Sequence, residues 1–144
     1  MRTIGFAITK DVLWFSVLDG AGKTDAKITT VDKQRFNSDL GVQELMVQFY
    51  NLFNELLEKY SPDSVACKVH LDSNLSQIPY MHFSLGILSY ICKLKNIPTR
   101  LRSGKWISAG KNAKQIACVQ HFSTHKLRNE EIAATVVAWY EFSE

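Results

Sequence analysis

Thr3–Thr9 (TIGFAIT) and Val12–Leu18 (VLWFSVL) are both rich in β-branched and aromatic residues, and only Lys10-Asp11 separates them. So short a gap leaves room for a tight turn and little else, so the two runs read as an antiparallel hairpin. Asp19-Gly20-Ala21-Gly22 is a second turn signal, after which Lys27 to Val31 returns as a third antiparallel strand. From Val42 the period changes: Val42, Leu45, Met46, Phe49, Leu52, Phe53, Leu56 and Leu57 recur at helical spacing. This predicts a long amphipathic helix ending near Tyr60. Ser61-Pro62-Asp63 breaks it and launches residues 65–72, VACKVHLD, whose nearly continuous apolar character suits a central strand. A second helix is expected from about Ile78, with Met81, Leu85, Leu88 and Cys92 on one stripe. Ile97 to Leu101 reads as a short strand, Ser103 to Phe122 as mostly helical, and Glu130 to Phe142 as a closing helix.

Three strands in a meander followed by alternating helix and strand favour an α/β fold with a five-stranded mixed sheet flanked by helices. At 144 residues and 46% hydrophobic, the chain is expected to form one domain over 1–144 with a sizeable core. No apolar stretch approaches the roughly 20 residues that span a bilayer. The opening MRTIGFAITK has no signal-peptide apolar region, so no membrane partner and a cytoplasmic location are expected. Cys67, Cys92 and Cys118 are odd in number, far apart and set among apolar neighbours, which predicts buried reduced thiols rather than disulfides or metal ligands.

Charge is distributed unevenly. Between Asp72 and Glu130 there is no acidic residue, yet the stretch holds Lys93, Lys95, Arg100, Arg102, Lys105, Lys111, Lys114, Lys126 and Arg128. Residues 1–72 instead mix ten acids with eight Lys and Arg. Clustered cations focus potential and attract phosphates, so DNA or RNA is the expected partner, with Arg100, Arg102, Lys105, Lys111 and Lys114 as candidate nucleic-acid-binding residues. A solvated surface, or one that binds a protein partner, is the alternative.

The element order is that of the ribonuclease H-like fold, and three segments resemble its RuvC-type Holliday-junction resolvase branch. Gly5-Phe6-Ala7 resembles that branch's Gly-Ile-Asp on the first strand. Pro62-Asp63-Ser64-Val65-Ala66-Cys67-Lys68 resembles its Pro-Asp…Ala-Ile-Glu strand, and WISAGKNAKQIACVQHF, residues 106–122, resembles its Gly-x-x-x-Ala-x-Lys-x-x-Val segment. The resemblance implies a nuclease ancestry in which carboxylates clamp two divalent metals, and it raises the possibility of a homodimer.

The departures from that pattern fall on the clamp itself. Where the branch has an Asp on the first strand there is Ala7, and where it has a Glu on the fourth there is Lys68. Its closing helix carries Asp-x-x-Asp; here Glu130 or Glu131 is followed three residues later by Ala133 or Ala134. Catalytic residues, a metal site and cofactors are therefore not expected; Mg²⁺ or Mn²⁺ would enter only if the chain were a divergent nuclease. Lys68 and His70, two apart, face one side of the strand, and a buried ammonium requires a partner. The expected arrangement is a vestigial site of Ala7, Lys68, His70, Glu130 and Glu131 with Lys68 paired to one of the two glutamates. CKVH also looks similar to an Ile-Lys-x-Arg strand of bacterial ribonuclease H-like families with degenerate acids. An unorthodox enzymatic site from Asp11, Asp72, His70 and Glu131 is the competing expectation, although Asp11 and Asp72 read as turn residues.

Other motifs are weak. DGAGKT, residues 19–24, ends like a phosphate-binding loop, but it joins two predicted hairpin strands and has Val17 where the first glycine is required. GKWISAGK, residues 104–111, has a surplus residue between its glycines and is followed by Asn112 instead of Ser or Thr. His121 and His125 have helical spacing, yet no Glu follows the first, which favours solvated or core-edge histidines over a metal site.

Overall fold

A computed structural model of the chain describes residues 1–70 and 74–143. β1 (Arg2–Thr9) and β2 (Val12–Asp19) form the hairpin, with Asp11 at φ 65° in its turn, and β3 (Lys27–Arg35) adds antiparallel to β2. There follow α1 (Val42–Tyr60), β4 (Ser64–Val69), a π-helical turn (Pro79–Phe83) running into α2 (Ser84–Leu94), β5 (Thr99–Ser103), α3 (Gly104–His121) and α4 (Asn129–Trp139). The sheet order is β3-β2-β1-β4-β5, with β4 parallel to both β1 and β5. This is the mixed five-stranded sheet that the element order implied.

β4 covers Ser64–Val69, so the expected strand stops before His70; four other differences from the sequence reading each have a local reason. β3 continues past Val31 to Arg35 because backbone pairing with β2 extends to Val12, although the side chains of residues 32–35 are exposed. β5 begins at Thr99 rather than Ile97, after Pro98, whose carbonyl accepts the Val65 N–H but which has no N–H of its own. The closing helix ends at Trp139; Phe142 is buried in the turn beyond it. The segment expected as one helix over Ser103–Phe122 is kinked, because Gly110, Lys111 and Asn112 stand at φ 67°, 58° and 63°. Three successive left-handed residues interrupt any right-handed helix.

Strand alternation sorts β1 between two layers. Ile4, Phe6 and Ile8 join Phe49, Phe53, Val65, Cys67 and Leu88 beneath α1 and α2, where the Phe6 and Phe53 rings meet edge to face at 5.3 Å. The opposite face carries Thr3, Gly5 and Ala7 under α4, joined by Ala66, Ala134 and Ala138. Small residues let α4 lie directly on the sheet: a Cβ at Gly5 would stand 1.8 Å from the Ala134 carbonyl oxygen. The three cysteines are free and buried, and burial pushes the Cys118 thiol up to about 12. No helix among the described residues is long and apolar enough to cross a membrane.

The DGAGKT turn is closed by its own side chains. Asp25 accepts the Ala21 and Gly22 N–H groups at 3.2 and 2.7 Å, and Lys23 lies over the Tyr140 ring at 3.4 Å. The amides that a phosphate loop would present are thus used internally.

Candidate functional site

Phe6 pairs with Cys67 in the parallel β1–β4 ladder, which sets Ala7 and Lys68 side by side on the α4 face near the strands' carboxyl ends. Open α/β sheets bind their ligands at this end. Here Lys68 Nζ lies 3.8 Å from Glu130 Oε2 in the first turn of α4, with the two side chains 19% and 26% exposed. The pair opens onto a cleft of about 240 Å³ lined by Lys68, Gly104, Ile107, Gln115, Asn129 and Glu130. At 3.8 Å it is an ion pair without a close hydrogen bond, and Glu130 Oε2 accepts none from the described residues.

Of the two glutamates left open by the sequence, only Glu130 meets Lys68. Glu131 turns back to accept the Arg128 N–H at 2.9 Å and caps its own helix. His70 stands just past the end of β4, half-buried; burial first, and then the Lys68 ammonium, holds its imidazole below the ordinary value, so the ring is neutral at pH 7. Ala7 is fully buried.

These residues do not fit a pair of divalent metals. Among the described residues the face offers a methyl group at Ala7, an ammonium at Lys68 and the Glu130 carboxylate, already facing that ammonium. Among the described residues no three His, Cys, Asp or Glu converge to hold a metal ion. Two members of the unorthodox alternative are engaged elsewhere among the described residues. Asp11 is tied in the hairpin turn to the Ser38 N–H at 3.0 Å and hydroxyl at 2.5 Å, which holds its carboxyl below the usual range, and Glu131 is the helix cap. Asp72 lies outside the described residues. His121 contacts the Ala26 carbonyl at 2.9 Å and stacks on Trp139, while His125 lies in the turn past α3.

The acid-free stretch is answered by acids from elsewhere in the chain. Arg100 Nε and Arg102 Nη2 lie 3.5 and 3.7 Å from the Glu141 carboxylate, which also accepts the Ser64 hydroxyl at 3.3 Å and is 7% exposed on its side chain. Two of the five candidate nucleic-acid residues are therefore tied to an internal anion, although Arg100 keeps 62% of its side chain in solvent. Lys105 and Lys111 are exposed on α3, and Lys114 Nζ lies 4.7 Å from the Trp106 ring centroid. The sequence reading missed Glu141, since nothing in a linear charge pattern pairs a residue beyond α4 with β5. It also missed Trp106, whose one signal was an aromatic residue set among lysines.

No family model matches the chain, and no curated protein does. Solved structures do. Thermus thermophilus RuvC in complex with a Holliday junction superposes with a TM-score of 0.75 at 14% identity, covering 96% of this chain and 91% of that one. The fold is RuvC-like. The yeast mitochondrial Holliday junction resolvase Ydc2 gives 0.66 at 11% identity, covering 95% of this chain and 77% of that one. The fowlpox virus resolvase gives 0.63 at 8% identity, with 97% of each chain covered.

Proposed function

We propose that this protein is a nucleic-acid-binding domain of RuvC-like fold that holds DNA or RNA without a divalent metal and does not cut it. The observation that carries the reading is the Lys68–Glu130 pair: an ammonium on β4 where a metal clamp needs a carboxylate oxygen. Surface lysines attract a phosphate backbone without a metal, and exposed Lys105 and Lys111, with half-buried Lys114, supply that attraction on α3. That Thermus RuvC and the fowlpox resolvase are bound to Holliday junctions makes branched DNA the first ligand to test. Fluorescence anisotropy with labelled four-way junction, duplex and single strand in EDTA tests it. Binding that weakens steeply with salt, and weakens further in Lys105→Glu/Lys111→Glu, is expected. No binding to any of the three at low salt overturns the reading.

A second reading has its own observation. Phe83, Tyr90 and Leu94, at helical spacing along the outer face of the π-turn and α2, are 44%, 59% and 61% exposed. An apolar stripe of this kind suits a protein partner or a second copy of the chain. Sedimentation across a concentration series separates a homodimer from a monomer.

A further inference from the structure

Beside the cleft, at the carboxyl end of β5, Val69, Leu101, Arg102, Ser103 and Trp106 enclose a groove of about 420 Å³. Its walls are mostly apolar. Leu101 is 49% exposed and Trp106 is half-buried. The Ser103 hydroxyl accepts the Trp106 backbone N–H at 3.1 Å and caps α3, and the Tyr140 ring braces the indole edge-on at 5.5 Å. Two cations lie against the ring: the Arg102 guanidinium at 4.3 Å and the Lys114 ammonium at 4.7 Å from its centroid.

Lys114 owes its position to the kink. In an unbroken helix, eight residues separate 106 from 114 by about 12 Å of rise. The left-handed turn at Gly110, Lys111 and Asn112 folds the chain back so that the ammonium reaches the indole, and it leaves Lys111 exposed at the bend. Left-handed conformations at Lys111 and Asn112 are costly for residues with a Cβ and persist where the surroundings hold them.

A partly exposed aromatic ring at an apolar groove, with cations around it, matches one ligand chemistry better than others: a planar base attached to a phosphate chain. We infer that the Trp106 groove takes an unstacked nucleobase of a bound strand, while Lys105, Lys111 and Lys114 hold the neighbouring phosphates. Duplex DNA keeps its bases stacked and offers none to the groove. The inference rests on the nucleic-acid reading above and narrows it to strands with unpaired nucleotides, such as single strands, loops and branch points.

The test compares three probes in EDTA at fixed salt: a dT oligomer, an abasic oligomer of the same length, and a duplex. The wild type is expected to prefer the dT oligomer to the abasic one by about fivefold or more. Trp106→Leu is expected to bind both oligomers alike, at the wild-type abasic affinity, and Trp106→Phe to restore most of the preference. Leu101→Lys changes an exposed edge residue, so it keeps the fold even if Trp106→Leu does not. It is expected to fill the groove and abolish the preference without weakening abasic binding. Lys111→Glu is expected to weaken both oligomers equally. A wild type that binds dT and abasic oligomers with the same affinity overturns the base site and leaves the nucleic-acid reading standing. A wild type that binds none of the probes overturns both.

Discussion

Changing Lys68 to Met and Glu130 to Gln, singly and together, examines the cleft's central contact. Two unit charges 3.8 Å apart attract by about 4 kcal/mol at an effective dielectric of 20. Removing both from water offsets much of this, and side chains 19% and 26% exposed remain partly screened. A net coupling of about 1–2 kcal/mol is left. Lys68→Met alone leaves a partly buried carboxylate without its cation and is expected to cost about 2 kcal/mol. Glu130→Gln alone strands the ammonium at a similar or smaller cost. The double variant is expected to lose about as much as either single one, because it leaves no orphaned charge. Urea unfolding, compared at constant m-value, supplies the three differences, and the double-mutant cycle isolates the coupling. A coupling within about 0.3 kcal/mol of zero would show that the two charges act independently and refute the reasoning.

Gly5→Ala would place a methyl group 1.8 Å from the Ala134 carbonyl oxygen, which is backbone and held in α4. A loss of about 3 kcal/mol or more, or failure to fold, is expected by denaturant titration. His70 has a folded pKa below its ordinary 6.5, so between the two values the unfolded chain binds a proton that the folded one does not. Its contribution to stability is complete above pH 6.5 and is lost as pH falls through the folded pKa. His70→Gln should flatten that part of the urea-midpoint profile between pH 7 and the onset of carboxylate titration. Lys111→Gly, at φ 58°, should raise the melting free energy by about 0.5–1 kcal/mol, since glycine adopts the left-handed turn without a Cβ penalty.

Much of the fold was legible because its signals are local and periodic. The Lys10-Asp11 turn fixed the first hairpin, and the stripe from Val42 to Leu57 placed α1, whose buried residues are Leu45, Phe49, Leu52, Phe53, Leu56 and Leu57. The pairing of Lys68 with a glutamate of the closing helix was legible from desolvation, since an ammonium on a largely buried strand needs a counter-charge. Which glutamate it takes was not, because one residue along a helix turns the side chain by about 100° and only the cap at Arg128 decides the direction. The kink was hidden because Gly110 and Asn112 tolerate left-handed φ without demanding it. The reach of Glu141 to Arg100 and Arg102 was hidden for a different reason: a contact between β5 and the chain end depends on where the sheet sets its edge, which no linear charge count contains.

The proposal that Lys68 and Glu130 stand in place of a metal clamp is tested most directly by following the melting temperature of the wild-type protein as Mn²⁺ is raised into the millimolar range. An ion that binds only the folded state at a hundredfold excess over its dissociation constant adds about 2.7 kcal/mol, which raises the midpoint by several degrees in a domain of this size. The account predicts no saturable shift. A saturable rise of several degrees, abolished by Glu130→Gln, would contradict it by showing that a metal site persists at Glu130.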